Sequence, residues 1–147
     1  MRYTTFLSVT SATIMIISLV VIGYPLYTFI EDAKGGKFDI SLRNIVISRL
    51  ENDSIVINFT VCGFNNGRVK ITDIFVEIQC NYTTIDDRTY SKIIKVYIGS
   101  LSPQESVERN LTLYLKGFPK SFTARVSIRM NISGFLPFKM TFEVPIL

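Results

Sequence analysis

Two different periods divide the chain. From Phe6 to Ile30 there are twenty-five consecutive residues without a charge, and Ile14 to Ile22 is almost unbroken hydrocarbon. A helix rises about 1.5 Å per residue, so roughly 20 such residues cross a hydrocarbon core of about 30 Å. The stretch predicts one transmembrane helix over 6–30. From Phe38 onward the period is two. Ile55, Ile57, Phe59 and Val61 alternate with Val56, Asn58, Thr60 and Cys62. Ile74, Val76, Ile78 and Cys80 alternate with Phe75, Glu77 and Gln79; Val126, Ile128, Met130 and Ile132 alternate with Arg125, Ser127, Arg129 and Asn131. Val107 to Leu115 and Phe138 to Val144 repeat the pattern. Such alternation marks half-buried antiparallel strands.

Turn chemistry separates the strands: Glu51-Asn52-Asp53, Asn65-Asn66-Gly67, Asp86-Asp87, Ser102-Pro103, Gly117-Phe118-Pro119 and Ser133-Gly134. The expected strands are 38–50, 53–64, 69–82, 90–98, 105–116, 121–132 and 135–146. Seven short strands without intervening helices predict an all-β domain, a seven-stranded antiparallel immunoglobulin-like β-sandwich behind one N-terminal transmembrane helix. The expected organisation is a short N-terminal flank (1–5), the helix (6–30), a hinge at Gly35-Gly36 (31–37) and an extracytoplasmic sandwich (38–147). Near the outer end of the helix, Tyr24, Tyr27 and Phe29 suit an interfacial aromatic belt, and Gly23-Tyr24-Pro25 is expected to disturb the helix.

Chemistry narrows the picture mainly by what is missing. The chain has no histidine and no tryptophan, so the commonest general base and transition-metal ligand are both lacking. The net charge is +4, with Lys and Arg scattered; Lys120, Arg125 and Arg129 read as a solvated face rather than a nucleic-acid surface. Asp73, Glu77, Asp86, Asp87 and Glu143 are spread over strands and one loop, with nothing to hold a catalytic pair at fixed separation. No Gly-rich phosphate loop or nucleophile elbow occurs. No catalytic, metal or cofactor site is expected, and no small-molecule substrate is evident.

Five Asn-x-Ser/Thr sequons lie beyond the helix, at Asn52, Asn58, Asn81, Asn110 and Asn131, in a chain with eight Asn. A sequon is an acceptor only in a translocated, solvent-facing segment, so the excess predicts glycosylation and an extracytoplasmic domain. Lys and Arg counts flanking the helix argue the opposite orientation, but long folded domains translocate largely regardless of charge. Cys62 and Cys80 leave one disulfide open. Cys80 follows the inward phase and Cys62 the outward one, so a bridge requires a bulge near Gly63; the other reading is two free thiols. On the helix, Ser8, Ser11 and Ser18 share a face with Met15 and Ile22, which suits close packing against a partner helix. Val21 and Gly23 also satisfy an ordinary signal-peptidase site, so a cleaved, secreted form is the alternative to an anchor.

Ser54 to Val61, Asn65-Asn66-Gly67 and Val69 to Ile78 together resemble the opening of the late-embryogenesis-abundant type 2 (water-stress/hypersensitive-response) domain. Ile98-Gly99-Ser100-Leu101-Ser102-Pro103-Gln104-Glu105-Ser106 resembles that family's linker into a long strand, and Arg129 to Gly134 its late strand. Asn65-Asn66-Gly67 stands where the family carries Asn-Pro-Asn. The resemblance implies a seven-stranded sandwich tethered behind a membrane helix. The architecture is also similar to archaeal type IV pilins and archaellum-stator proteins, although Tyr3-Thr4-Thr5-Phe6 lacks the basic residue and small residue of a pilin processing site. The expected function is non-enzymatic: a membrane-anchored cell-surface protein, embedded in membrane lipid, with a structural or protein-binding role at the cell envelope. A secreted or filament-forming subunit and an accessory subunit of a membrane complex are the alternatives.

Overall fold

The computed structural model describes residues 2–50 and 54–145, with the side chains of 2–9 and 144–145 left aside. One helix, α1 (Arg2–Lys34), precedes seven strands: β1 (Phe38–Arg49), β2 (Ile55–Asn65), β3 (Ile71–Thr84), β4 (Thr89–Leu101), β5 (Glu105–Leu115), β6 (Pro119–Ile132) and β7 (Leu136–Pro145). All pairings are antiparallel. They form a three-stranded sheet, β1-β2-β5, and a four-stranded sheet, β4-β3-β6-β7. β1–β2, β3–β4 and β6–β7 are hairpins, and the chain crosses between sheets at the other connections.

The period-two reading of the inward faces holds. Ile74, Val76, Ile78 and Cys80 of β3 are buried, as are Val126, Ile128, Met130 and Ile132 of β6. They meet Phe59, Val61, Leu113 and Leu115 of the other sheet in one apolar core. β4 and β6 are longer than periodicity suggests, and the other strand bounds shift by one or two residues. β4 reaches Leu101 because Gly99, at φ +98°, carries a bulge that alternation does not reveal.

α1 is longer than expected. It runs through Pro25, with only local loss of one backbone donor, and continues four residues beyond Ile30. The segment from 10 to 22 exposes its side chains all round. It is long and apolar enough to cross a membrane, with a mean hydropathy of 2.0 over its best stretch.

The end of α1 is packed into the sandwich. Thr28, Phe29 and Asp32 are buried. The Phe29 ring sits 5.4 Å from those of both Phe38 and Phe138, so it belongs to the core edge rather than to an interfacial belt. Gly35-Gly36 closes the helix with a Schellman turn: Gly36 N–H donates to Ala33 O at 3.1 Å and Lys37 N–H to Asp32 O at 2.8 Å, with Gly36 at φ +68°. The Asp32 carboxylate, 4% exposed, accepts the Arg68 backbone N–H at 2.8 Å, the Arg68 guanidinium at 3.1 Å and Lys37 Nζ at 3.4 Å. Gly67 is there because space is short: a Cβ on it would come 2.9 Å from Asp32 Oδ2. The residues read as a hinge are thus the last turn of the helix and a hydrogen-bonded clamp.

Candidate functional site

The two sheets are unequal, and the mismatch leaves an opening. They approach most closely where β4 passes β5. On the other flank the three-stranded sheet ends at β1, whereas the four-stranded sheet continues to β7. Phe142 shares the inner register of β7, paired with buried Val126, yet is 43% exposed. The inner face of β7 therefore lacks a full cover. Across the gap, β1 breaks at Asn44, whose φ of +53° and accompanying register shift mark a bulge. Beyond it, Ile47 pairs with Ile57 on the inner face and is 66% exposed; Leu42 and Ile45 are exposed as well.

Between the sheets lies a cavity of about 330 Å³. Ile45, Ile47, Phe59 and Leu113 line it from the three-stranded sheet, and Cys80, Ile94 and Phe122 from the four-stranded sheet. Its lining is hydrocarbon and aromatic. At its far end from α1, the Arg49 guanidinium lies 4.7 Å over the Phe118 ring. Among the described residues no strand lies beyond β1, and its outer edge runs beside the cavity. An extended segment added along β1 would place alternate side chains in the cavity while its backbone pairs with the strand edge, the geometry of β-strand addition. Such recognition needs no titrating group.

The expected site residues fall elsewhere. Asn58 and Asn110 lie on the outer face of the three-stranded sheet as diagonal neighbours. Thr112 Oγ1 donates to Asn58 Oδ1 at 2.7 Å, and Thr60 Oγ1 donates to Asn110 Oδ1 at 2.8 Å. Each sequon's threonine thus bonds the other sequon's asparagine, so these two sequons also make a cross-strand polar ladder. Asn81 is exposed on the outer face of β3, between Ser91 and Thr123 of the neighbouring strands. Asn131 is half-buried and its amide donates to Asp73 Oδ2 at 2.9 Å. Asn52 and the Ser8 side chain lie outside the described residues. Ser11 and Ser18 are exposed on α1.

Cys62 and Cys80 are both free and buried. They sit in different sheets, Cys62 in the outward phase of β2 and Cys80 in the inward phase of β3. Burial pushes both thiols up from their ordinary pKa; for Cys62 the Glu108 carboxylate, 3.6 Å from Sγ, adds to the effect. Glu77 faces Lys95, Asp86 faces Arg88, Asp87 faces Lys120 and Glu143 faces Arg125. The Thr84 hydroxyl bonded to Asp86, with Arg88 beside it, lowers that carboxyl's pKa. Among the described residues no three His, Cys, Asp or Glu side chains gather into a metal-binding group.

The cavity, the β1 edge and the helix clamp were not visible in the sequence. The run Ile45-Val46-Ile47 was the available signal, because it interrupts alternation where a half-buried strand should alternate.

No family model matches the chain, and no curated protein matches it. Solved structures do. A structural-genomics target designated SoR45 is 11% identical over 75% of this chain and 87% of its own, with a TM-score of 0.50. The putative ApaA protein from Bordetella pertussis is 17% identical, covering 74% of this chain and 94% of its own, with a TM-score of 0.49. Spo0M, a sporulation control protein from Bacillus subtilis, is 15% identical with a TM-score of 0.29. At these identities the likeness to SoR45 concerns the fold alone.

Proposed function

We propose that this chain is a non-enzymatic, membrane-anchored cell-surface protein whose immunoglobulin-like sandwich binds a protein partner by accepting an extended segment along β1. The observation that carries this reading is the unequal sandwich, with an apolar cavity of about 330 Å³ beside β1, the edge strand of its sheet among the described residues. Main-chain pairing would supply affinity, and the pockets for alternate side chains would supply specificity. The apolar helix and the five sequons that follow it in the sequence support the location. The clamp at Asp32 and Arg68 supports a fixed presentation, because it joins anchor and domain through charge-assisted hydrogen bonds to a buried carboxylate. Glycans on Asn58, Asn81 and Asn110 would stand on the outer faces of the two sheets, leaving the cavity clear. The immunoglobulin-like classification is supported by two antiparallel sheets, three hairpins and crossovers between the sheets.

The test is site-specific photo-cross-linking of the full chain in its native membrane. A photoreactive residue replacing Ile47 is expected to yield one discrete adduct, whereas the same residue replacing Tyr97, exposed on the outer face of β4, is expected to yield none. An adduct whose mass is twice that of the chain would move the reading to a self-associating, filament-type subunit. Equal labelling at both positions, or none at Ile47, would remove the β1 edge from the account.

A further inference from the structure

We infer that the β6–β7 turn is seated in the interfacial layer of the bilayer that α1 crosses, making a second membrane contact with Phe135 as its apolar element. The inference rests on the reading of α1 as a membrane anchor and adds the face that the domain turns toward the lipid.

The turn is built to project one side chain. Ser133 and Gly134 have φ of +54° and +81°, and Phe135 N–H donates to Ile132 O at 3.4 Å. Two left-handed residues in the middle of a four-residue turn make the tight reversal that suits a hairpin. Ser133 N–H donates to Lys70 O at 2.8 Å, which ties the tip to the β2–β3 connection. Phe135 follows immediately and is 53% exposed, with Leu136 and Phe138 behind it anchored against the core. A large apolar side chain at a hairpin tip has no role in the core it points away from.

Its height follows from the clamp. Phe138 packs on Phe29 of α1 at 5.4 Å. Phe135 lies three residues nearer the turn, about 10 Å along a strand. Measured down α1, the same distance is about six or seven residues, which reaches Ile22 or Gly23. Gly23, Pro25 and Leu26 are partly covered, whereas every side chain from 10 to 22 is exposed. The turn therefore flanks the outer end of the apolar segment, close to the level of exposed Tyr24, with exposed Tyr27 one turn of helix nearer the domain. Aromatic side chains are favoured at this depth, and flanking Lys side chains reach headgroups while their stems stay in apolar surroundings. Exposed Lys70, whose carbonyl accepts from Ser133 N–H, stands beside the tip.

The chain has no tryptophan, so a single substitution gives a unique fluorophore. Full-length protein carrying Phe135→Trp, Ile85→Trp or Ile17→Trp would be placed in phosphatidylcholine vesicles containing lipid spin-labelled near the headgroup or deep in the acyl chain. Ile85 is exposed in the β3–β4 turn at the opposite end of the sandwich. Phe135→Trp is expected to emit at shorter wavelength than Ile85→Trp, to be quenched several-fold more by the shallow label, and to be several-fold less accessible to acrylamide. Ile17→Trp is expected to respond to the deep label. If Ile17→Trp is lipid-shielded but Phe135→Trp is as open to acrylamide as Ile85→Trp, the second contact is wrong and the anchor stands. If Ile17→Trp is itself open to acrylamide, the anchor reading fails and takes this inference with it.

Discussion

Asn65 shows how one residue can organise the end of a sandwich. It is 1% exposed, and its amide donates to Val69 O at 2.9 Å and Leu101 O at 3.0 Å. Its side-chain oxygen accepts from Gly67 N–H at 3.0 Å. A single side chain thus joins β2 to the β2–β3 connection and to the end of β4. Asn65→Ala strands two carbonyls and one N–H in a buried site. Each unsatisfied group costs about 1–3 kcal/mol, so the three together should cost at least about 3 kcal/mol. Chemical unfolding of the full chain in detergent measures it; a midpoint unchanged from the parent would show that water replaces these bonds without cost. Gly67 makes a complementary case. Gly67→Ala forces a carbon within 2.9 Å of Asp32 Oδ2, and overpacking of this kind costs about 1–3 kcal/mol. The strain falls on the clamp, so trypsin is expected to cut after Lys37 faster in the variant than in the parent. An equal rate would mean that the clamp does not hold the junction.

At the scale of elements, the strands were the legible part. Ile74, Val76, Ile78 and Cys80 announce one face of β3 because a sheet with one side in the core must alternate. The phases of β6 were equally plain. What alternation cannot report is which strand lies beside which. The pairing of β4 with β3, and the position of β1 as the last described strand of its sheet, are consequences of long-range packing, and the cavity follows from them. Bulges at Asn44, Asp73 and Gly99 were also hidden. Left-handed Asn and Asp are tolerated in turns and bulges alike, so residue type alone does not say which. The helix end was misread for a related reason. Two adjacent glycines read equally well as a flexible link or as a helix stop; the difference lies in Arg68, 36 residues away, which completes the Asp32 site. Sequons were legible as a count but not as a structure: at Asn58 and Asn110 the same residues form a cross-strand ladder.

For the whole molecule, these features give a domain with distinct ends. One end is tied to α1 through Phe29, Asp32 and Arg68 and carries the β6–β7 turn. The other half bears the cavity between the two sheets, lined by β1 on one side and β6 on the other, away from the helix. Arg49 over Phe118 marks its outer limit. A chain arranged in this way is suited to holding a binding edge at a set height above a membrane. The most direct test is amide hydrogen exchange across β1, comparing isolated full-length protein with protein in its native membrane assembly. An edge strand without a partner exchanges its outward-facing amides readily. The account predicts that the solvent-facing amides within 42–49 exchange fast in the isolated protein and are slowed at least tenfold in the assembly, with β4, the edge on the opposite flank, unchanged. Equal exchange at β1 in the two states would contradict strand addition and leave the cavity without its proposed occupant.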